Sequence, residues 1–169
     1  MSKKLIIVFE GIEGSGKSFH LRRICSYLKK QKIQFIKIRE PGGSKNSEKI
    51  RKLILNNKSN FNKITDLFLY LASRSENLEK IISKNYKKKI ILIDRFTDST
   101  LAYQHYGMGI KKNLIVLLNK FLLKNIKIDF TFLNIVSELN LKKRLSLRKN
   151  LNRYDKFKIK FYKKVQKGF

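Results

Sequence analysis

The eight residues from Gly11 to Ser18, which read Gly-Ile-Glu-Gly-Ser-Gly-Lys-Ser, constrain this chain more than any other segment. They match the pattern G-x-x-x-x-G-K-[ST]. An apolar run at 5–9 precedes them, and apolar residues at helical spacing follow them from Leu21 to Leu28. The pattern is meaningful when it lies between a strand and a helix, and both are indicated here. The sequence therefore predicts a P-loop that binds a nucleoside triphosphate.

Each residue type in this loop has a physical reason to be near phosphate. Glycines let the backbone curl so that its N–H groups point at phosphate oxygens, and the positive end of the following helix adds to that field. Lys17 is expected to reach the β- and γ-phosphates, and the Ser18 hydroxyl is expected to bind Mg²⁺. The residues expected to contact the nucleotide are Gly11, Glu13, Gly14, Ser15, Gly16, Lys17 and Ser18.

Four apolar runs are typical of buried strands, at 5–9, 35–38, 90–93 and 130–135. Apolar residues at helical spacing lie between and after them, at 64–82, 114–122 and 139–147. Buried strands that alternate with helices indicate parallel βαβ units covered on both faces. We therefore predict an α/β fold and a single domain over residues 1–169, with three layers and a parallel sheet of about four strands flanked by helices.

Polar residues follow three of these four runs. Glu10 and the P-loop follow the first, Arg39 and Glu40 follow the second, and Asp94 and Arg95 follow the third. Ligands bind beyond the carboxyl ends of the strands in sheets of this kind. The sequence therefore predicts that these side chains meet in one site.

The formal net charge of +28 allows two interpretations. Clustered Lys and Arg residues neutralise phosphates in proteins that bind nucleic acid. Here the lysines are scattered through every segment, which favours compositional drift towards residues with A/T-rich codons. On either interpretation the chain should attract polyanions at low salt.

Two further features bear on the compartment. The single cysteine, Cys25, excludes an intrachain disulfide, and no apolar run is long enough to span a bilayer. The short apolar stretch near the N-terminus lacks a small-residue cleavage site and leads directly into the P-loop. We expect a cytoplasmic protein that does not bind a membrane.

Five segments, taken in order, resemble the bacterial thymidylate kinases. They are 9–18, 39–43 (Arg-Glu-Pro-Gly-Gly), 71–74 (Leu-Ala-Ser-Arg), 94–104 (Asp-Arg-Phe, then Asp-Ser, then Ala-Tyr-Gln) and 129–134 (Asp-Phe-Thr, then Asn134). The P-loop alone indicates only an NTPase. The combination of the second and fourth segments is much more specific.

The resemblance implies a P-loop fold like that of the nucleoside monophosphate kinases. It also implies transfer of the γ-phosphoryl group of ATP to dTMP with Mg²⁺, giving dTDP and ADP for dTTP synthesis, and a homodimer formed by helices packed side by side. Two alternatives stay open. One is another P-loop kinase acting on a different nucleotide or nucleoside, and the other is a non-catalytic basic remnant that binds nucleotides or nucleic acid.

The resemblance also assigns roles around the acceptor base. Tyr70 is expected to stack on thymine, and Arg74 to hydrogen-bond its edge. Thr100 and Gln104 match positions that contact the polar atoms of thymine, and an amide side chain both donates and accepts. Ordinary core packing is the alternative for Tyr70.

Further roles concern the sugar, the phosphate and the metal. By resemblance, Tyr103 packs on the sugar and disfavours a ribose, while Glu13 lies near its 3′-hydroxyl. Arg95 and Glu40 are expected near the acceptor phosphate, and Arg51 is expected to contact the acceptor nucleotide. Asp94 is expected to hold Mg²⁺ or its water. A helix N-cap is the alternative for Asp94, and a solvated arginine is the alternative for Arg51.

A lid segment is expected around residues 142–154. The P-loop has no arginine at its variable positions, which fits family members whose lid arginines supply charge to the transferred phosphoryl group. Of Arg144, Arg148 and Arg153, we expect Arg148 to take this role, with Arg153 next. The expected catalytic set is therefore Lys17, Arg95, Arg148 and Arg153. A solvated basic helix is the alternative for the lid.

Three departures from the family pattern stand out. The family has a fifth strand and a last helix after the helix that ends this sequence, so we expect an uncovered sheet edge and weaker adenine binding. Phe19 occupies a position where a second small residue is common. Ile128 replaces a common proline. The family often has a cis bond before the residue that matches Pro41.

Overall fold

The computed structural model describes residues 4–148 and 151–169. Its four strands are β1 (Ile6–Glu10), β2 (Phe35–Arg39), β3 (Ile90–Asp94) and β4 (Phe130–Leu133). They form one parallel sheet in the order β2-β3-β1-β4, in which Ile6 lies opposite Ile91 and Ile7 lies opposite Phe130. The predicted four-stranded α/β fold is confirmed.

Helices connect these strands. The α-helical segments of the described residues are α1 (Lys17–Lys30), α2 (Lys45–Leu55), α3 (Lys63–Asn77), α4 (Ser83–Asn85), α5 (Thr97–Thr100), α6 (Lys112–Leu123), α7 (Glu138–Ser146) and α8 (Ile159–Lys167). A π-helical turn, Leu78–Ile82, joins α3 to α4, and a second, Leu101–Gly107, continues α5. A 3₁₀ turn, Arg153–Lys156, precedes α8.

Polar side chains start several of these helices. The Ser44 side chain accepts a hydrogen bond from Ser47 N at the start of α2, and Asn62 accepts from Ile64 N and Thr65 N at the start of α3. Each satisfies backbone N–H groups that have no partner within the helix. These caps fix where α2 and α3 begin, and both helices flank the site described below.

The two central strands, β1 and β3, are covered on both faces of the sheet. Ile6, Val8, Ile91 and Ile93 pack with the π-helical turn after α3 on one face. Phe9 and Leu92 pack with Leu21 and Leu28 of α1 on the other. Period-two alternation in a central strand sends successive side chains to opposite layers. This arrangement holds the P-loop between two packed elements, β1 and α1.

The edge of the sheet at β4 is open in the described residues. All four residues of β4 are exposed, with Phe130 at 55% and Phe132 at 51% of their surface. Only the side of β4 that faces β1 is paired.

Parts of two predictions fall on residues that are not described. Residues 149 and 150 belong to the predicted lid, and residues 1–3 belong to the predicted single domain. Within the described ranges, the first part of the predicted lid belongs to α7, and its last two residues begin the 3₁₀ turn. No helix in the part of the chain that the structure describes combines the length and the apolar character needed to cross a membrane.

Candidate active site

A cavity of about 790 Å³ lies at the carboxyl ends of β1, β2 and β3. Of the residues expected from sequence to form the site, all but Gly11 and Arg153 line it. The topology explains this convergence, because parallel strands present their carboxyl ends at the same edge of the sheet.

The P-loop backbone has the conformation that only glycine tolerates well. Gly11 has φ 130°, and a Cβ built on it would lie 2.3 Å from the carbonyl oxygen of Asn134. Gly16 has φ 98° and immediately precedes α1. The loop therefore depends on these glycines for its close approach to the residue after β4 and for its turn into α1.

Lys17 is buried beneath the P-loop. Its Nζ donates to the carbonyl oxygens of Gly11 and Ile12, both at 2.8 Å, and to Ser15 Oγ at 3.4 Å. Burial, together with the positive charge of Arg95, lowers the pKa of Lys17 to about 7, although Glu13 and Asp94 oppose this shift. The ammonium group is therefore poised to gain stabilisation from an anion.

Ser18 and Asp94 supply oxygen atoms suited to a hard cation. Ser18 Oγ lies 3.5 Å from Asp94 Oδ2, and both residues line the cavity. Mg²⁺ is commonly bound by one or two protein oxygens together with substrate phosphates and water. The described residues contain no cluster of three or more His, Cys, Asp or Glu side chains. The residues present therefore fit Mg²⁺ that arrives with a nucleotide.

Arg95 connects the P-loop with Tyr103, in the π-helical turn after α5. Its Nη2 lies 2.9 Å from Glu13 Oε1, and its Nη1 donates to the Gly11 carbonyl at 2.6 Å. The Tyr103 hydroxyl donates to the other oxygen of Glu13. Burial opposes ionisation of Glu13, but Arg95 and the Tyr103 hydroxyl hold its pKa below the usual range.

Arg95 has a left-handed backbone, with φ 68°. That conformation costs about 1–2 kcal/mol in a residue other than glycine. Glu10 stabilises the same turn, since its buried carboxylate accepts from Phe96 N at 2.8 Å and from Ser99 N at 3.2 Å. The turn after β3 is thus held in place by the carboxylate at the end of β1, a contact that sequence reasoning did not find.

Arg74 is almost completely enclosed, with 1% of its surface exposed. Its Nε donates to Glu40 at 2.8 Å, and its Nη1 donates to Asn119 at 2.5 Å. Its Nη2 donates to the Phe96 carbonyl at 3.0 Å and to Thr100 Oγ1 at 2.8 Å. Four of the five N–H groups of this guanidinium are therefore used inside the protein.

These contacts modify the role expected for Arg74. Only one N–H, on Nη1, is left for a base, so most of its bonding holds Glu40 and Thr100 in position. Burial raises the pKa of Glu40, and the adjacent Arg74 opposes that shift. Asn119, on α6, completes the set and was not expected from the sequence, because it lies 45 residues away along the chain.

Gln104 has a buried amide group at the cavity, and its nitrogen is unpaired among the described residues. The residue is 1% exposed and lines the cavity, and its Nε2 has no hydrogen-bond partner within the described residues. Thr100 also lines the cavity, and its Oγ1 accepts from Arg74. An unpaired buried donor is costly, so it favours a ligand with an acceptor at this point.

Aromatic rings enclose this end of the cavity. Tyr154 contacts Tyr70 edge to face with centroids 6.0 Å apart, and contacts Tyr103 at the same separation. The expected residues Tyr70 and Tyr103 are thus brought together, with Tyr154 as a third ring that sequence reasoning missed. In the sequence, Tyr154 is recognisable only as an aromatic residue next to Arg153.

The lid arginines lie in three different places. Arg144 donates from Nη1 to the Gly14 carbonyl of the P-loop. Arg148 lines the cavity and pairs with Asp155. Arg153 pairs with Asp66, contacts Phe61 and does not line the cavity.

The resemblance predicted that Arg148, and after it Arg153, lies near the transferred phosphoryl group. The structure does not place Arg153 beside the P-loop. The buried carboxylate of Asp66 holds it instead, and α3 contributes that carboxylate. Arg144 lies next to the loop that would hold the phosphates. Asp66 gave no signal in the sequence, because the pair spans 87 residues.

Comparisons with known proteins agree with this arrangement. The family model described as thymidylate kinase matches residues 9–169. A thymidylate kinase of Clostridium novyi is 40% identical, with 100% of this chain and 84% of the relative covered. One from the Wolbachia of Brugia malayi is 36% identical, with 98% of this chain and 79% of the relative covered. The chain belongs to the thymidylate kinase family.

A solved structure of a family member supports the same conclusion. The crystal structure of thymidylate kinase from Ehrlichia chaffeensis superposes with a TM-score of 0.80 at 32% identity, covering 99% of this chain and 85% of that one. The family fold is therefore present over almost the whole chain. The sequence resemblance to thymidylate kinases is confirmed.

Proposed function

We propose that this chain transfers the γ-phosphoryl group of ATP to dTMP, giving dTDP and ADP. Family membership and the arrangement of the cavity support this proposal. The P-loop lies at its centre, and the residues proposed for the acceptor base come from α3, α5 and the π-helical turn after α5.

The assignment of the acceptor base rests on the amide of Gln104, whose Nε2 has no hydrogen-bond partner among the described residues. Thymine and uracil present a carbonyl, an N–H and a second carbonyl along one edge. An amide side chain can donate to such a carbonyl and accept from the N–H. Thr100 offers a further hydroxyl donor beside it, and Tyr70 supplies a ring on which the base can stack.

The proposed preference for a deoxyribose rests on Tyr103. Its ring lies 5.2 Å from Arg95 Cζ, and its hydroxyl donates to Glu13. Two partners therefore hold Tyr103 in position, so it is poorly able to move away from an added 2′-hydroxyl. We assign Glu13 to the neighbourhood of the 3′-hydroxyl.

Cations are required where the two nucleotides meet, because the acceptor phosphate and the transferred group are both anionic. We assign Lys17 and Arg148 to the transferred phosphoryl group, and Arg95 and Arg51 to the acceptor phosphate. Ser18 and Asp94 would hold Mg²⁺, which supplies charge neutralisation at the donor phosphates when bound. The acceptor phosphate is already ionised, so no general base is needed.

We also propose that the chain forms a homodimer in the cytoplasm. Helices α3 and α6 pack against each other through a buried apolar cluster. Each also exposes apolar side chains, namely Ile64, Phe68, Leu114, Val116, Leu117 and Phe121. An exposed apolar face of this kind is typical of a protein interface, and a second copy of the chain would cover it.

Turnover with three acceptors tests the proposed activity. ADP formation is measured for the parent protein with Mg-ATP and dTMP, dUMP or UMP. We expect turnover that favours deoxynucleotides with a thymine or uracil base, and loss of about 100-fold or more of kcat in Lys17→Ala. A preference for another acceptor would support a different P-loop kinase. Salt-sensitive binding of polynucleotide that survives Lys17→Ala, without turnover, would support the basic binding protein.

Gln104→Leu tests the base contact. It keeps a side chain of similar size but removes the amide, so we expect KM for dTMP to rise about tenfold with a smaller change in kcat. Gln31→Leu, at the exposed end of α1, serves as the matched control and should leave both constants unchanged. An unchanged KM for dTMP in Gln104→Leu would contradict the base-reading role.

A further inference from the structure

The cavity continues past the P-loop onto the first turns of α1. Phe19, His20 and Arg22 line this part. None of them belongs to the elements that carry the proposed contacts to the acceptor base, which are α3, α5 and the π-helical turn after α5. The cavity therefore has a second end, formed by one face of α1.

A triphosphate bound in the P-loop of a kinase must point in one direction along the cavity. Its γ-phosphate must lie towards the acceptor for transfer to occur, so its α-phosphate and nucleoside must leave on the side away from the acceptor. Phe19 follows Ser18 directly and lies in the first turn of α1, where its backbone N–H bonds to the Gly16 carbonyl at 3.0 Å. The donor nucleoside therefore passes close to this side chain.

Phe19 is an aromatic ring that the fold leaves largely open. It is 51% exposed and does not belong to the apolar core of the described residues. His20 contacts it edge to face at 5.4 Å, and Arg23 Cζ lies 5.7 Å from its centroid. A neighbouring guanidinium and a second ring hold Phe19 in place without filling the space around it.

We propose that Phe19 is the platform on which the purine base of the donor nucleotide stacks. The proposal rests on the proposed kinase function, since that function sets the polarity of the triphosphate. Every nucleobase offers a π-face, and base–aromatic stacking contributes about 1–3 kcal/mol of binding. Stacking on Phe19 would give the donor site affinity for the base independently of the phosphate contacts.

Two ligands separate the base from the phosphates. The affinities of Mg-ADP and of Mg-tripolyphosphate, which has no base, are measured by titration calorimetry without an acceptor. In Phe19→Ala we expect ADP to bind about tenfold more weakly, while tripolyphosphate changes by less than about twofold. In Phe19→Trp, which keeps an aromatic face, ADP affinity should equal or exceed that of the parent.

Matched variants complete the design. Tyr27→Ala removes another exposed aromatic residue of α1, 61% exposed, that does not line the cavity, and it should leave both affinities unchanged. Phe19→Leu should behave like Phe19→Ala, because it keeps apolar bulk without a ring. Thermal midpoints of all variants are compared with that of the parent to confirm folding.

The proposal is overturned if ADP affinity is unchanged in Phe19→Ala, or if ADP and tripolyphosphate weaken together. The second result would mean that Phe19 acts on the shape of the P-loop. Neither measurement requires turnover or an acceptor. Failure of the dTMP kinase proposal would appear in the turnover assay, so the two outcomes are distinguishable.

Discussion

The burial of Lys17 lowers its pKa, and this should make the binding of a polyphosphate depend on pH. In the free protein Lys17 bonds to carbonyl oxygens of its own loop, and burial has lowered its pKa to about 7. A polyphosphate adds negative charge beside the ammonium group and must raise that pKa. Above pH 7 the free lysine is largely neutral and the bound lysine is charged. Binding is therefore expected to take up a proton.

This proton uptake is measurable. At pH 8, Mg-ADP binding should take up close to one proton, seen as the slope of the binding enthalpy against the ionisation enthalpy of the buffer. At pH 6 the slope should fall towards zero, because the free lysine is already charged. Lys17→Arg, whose guanidinium does not titrate, should lose the uptake at pH 8. A zero slope for the parent protein at pH 8 would contradict the prediction.

Helix α3 positions several of the residues around the cavity. Asp66, Tyr70 and Arg74 follow one another at intervals of four residues and therefore share one face of the helix. Asp66 accepts from Arg153 and from the Tyr154 hydroxyl, and so connects the 3₁₀ turn at the end of the predicted lid to α3. Tyr154 in turn contacts Tyr70. Through this chain of contacts, α3 positions both Tyr70, the proposed platform for the base, and the end of the predicted lid.

Asp66→Asn tests this connection. It leaves Arg153 without its carboxylate, so we expect the free energy of unfolding to fall by about 1–3 kcal/mol. Release of Tyr154 should also raise KM for dTMP severalfold and change KM for ATP much less. Chemical denaturation and steady-state kinetics measure the two effects.

Glu138→Gln is the control for this variant. Glu138 also pairs with cationic side chains, Lys142 and Lys163, but its side chain is 36% exposed, against 2% for Asp66. Exposed ion pairs contribute little to stability, so neither the unfolding transition nor KM should change. Equal KM values for dTMP in Asp66→Asn and in the parent would show that the contact serves stability alone.

The molecule as a whole combines a strong positive charge with an exposed apolar face on α3 and α6. The net charge of +28 opposes self-association at long range, most strongly at low salt. Burial of the apolar face favours association at short range. The proposed dimer should therefore be more stable at moderate ionic strength than at low ionic strength.

Phe121→Glu should convert the proposed dimer to a monomer, because Phe121 is 71% exposed and would face the second copy. Light scattering coupled to size-exclusion chromatography measures the mass. Tyr27→Glu introduces the same charge at an exposed aromatic position on α1 and should leave the mass unchanged. A parent protein that is monomeric at all salt concentrations would contradict the proposal.

The parts of the site that the sequence predicted are those with local causes. The P-loop depends on eight contiguous residues and on glycines whose backbone freedom is intrinsic to the residue type. Four apolar runs separated by helical patterns predicted a parallel sheet, because only helices on both faces can cover such strands. Most of the site followed, since parallel strands deliver their carboxyl ends to one edge.

Only the tertiary structure decided what each charged or polar side chain bonds to. Whether an arginine contacts phosphate or a buried carboxylate depends on neighbours far away in the chain, as with Arg153 and Asp66. The same is true of Arg74, whose N–H groups Glu40, Asn119 and Thr100 nearly saturate, and of Gln104, whose Nε2 has no hydrogen-bond partner among the described residues. Sequence patterns encode the period and type of residues, whereas hydrogen bonds require positions set by the packing of the whole fold.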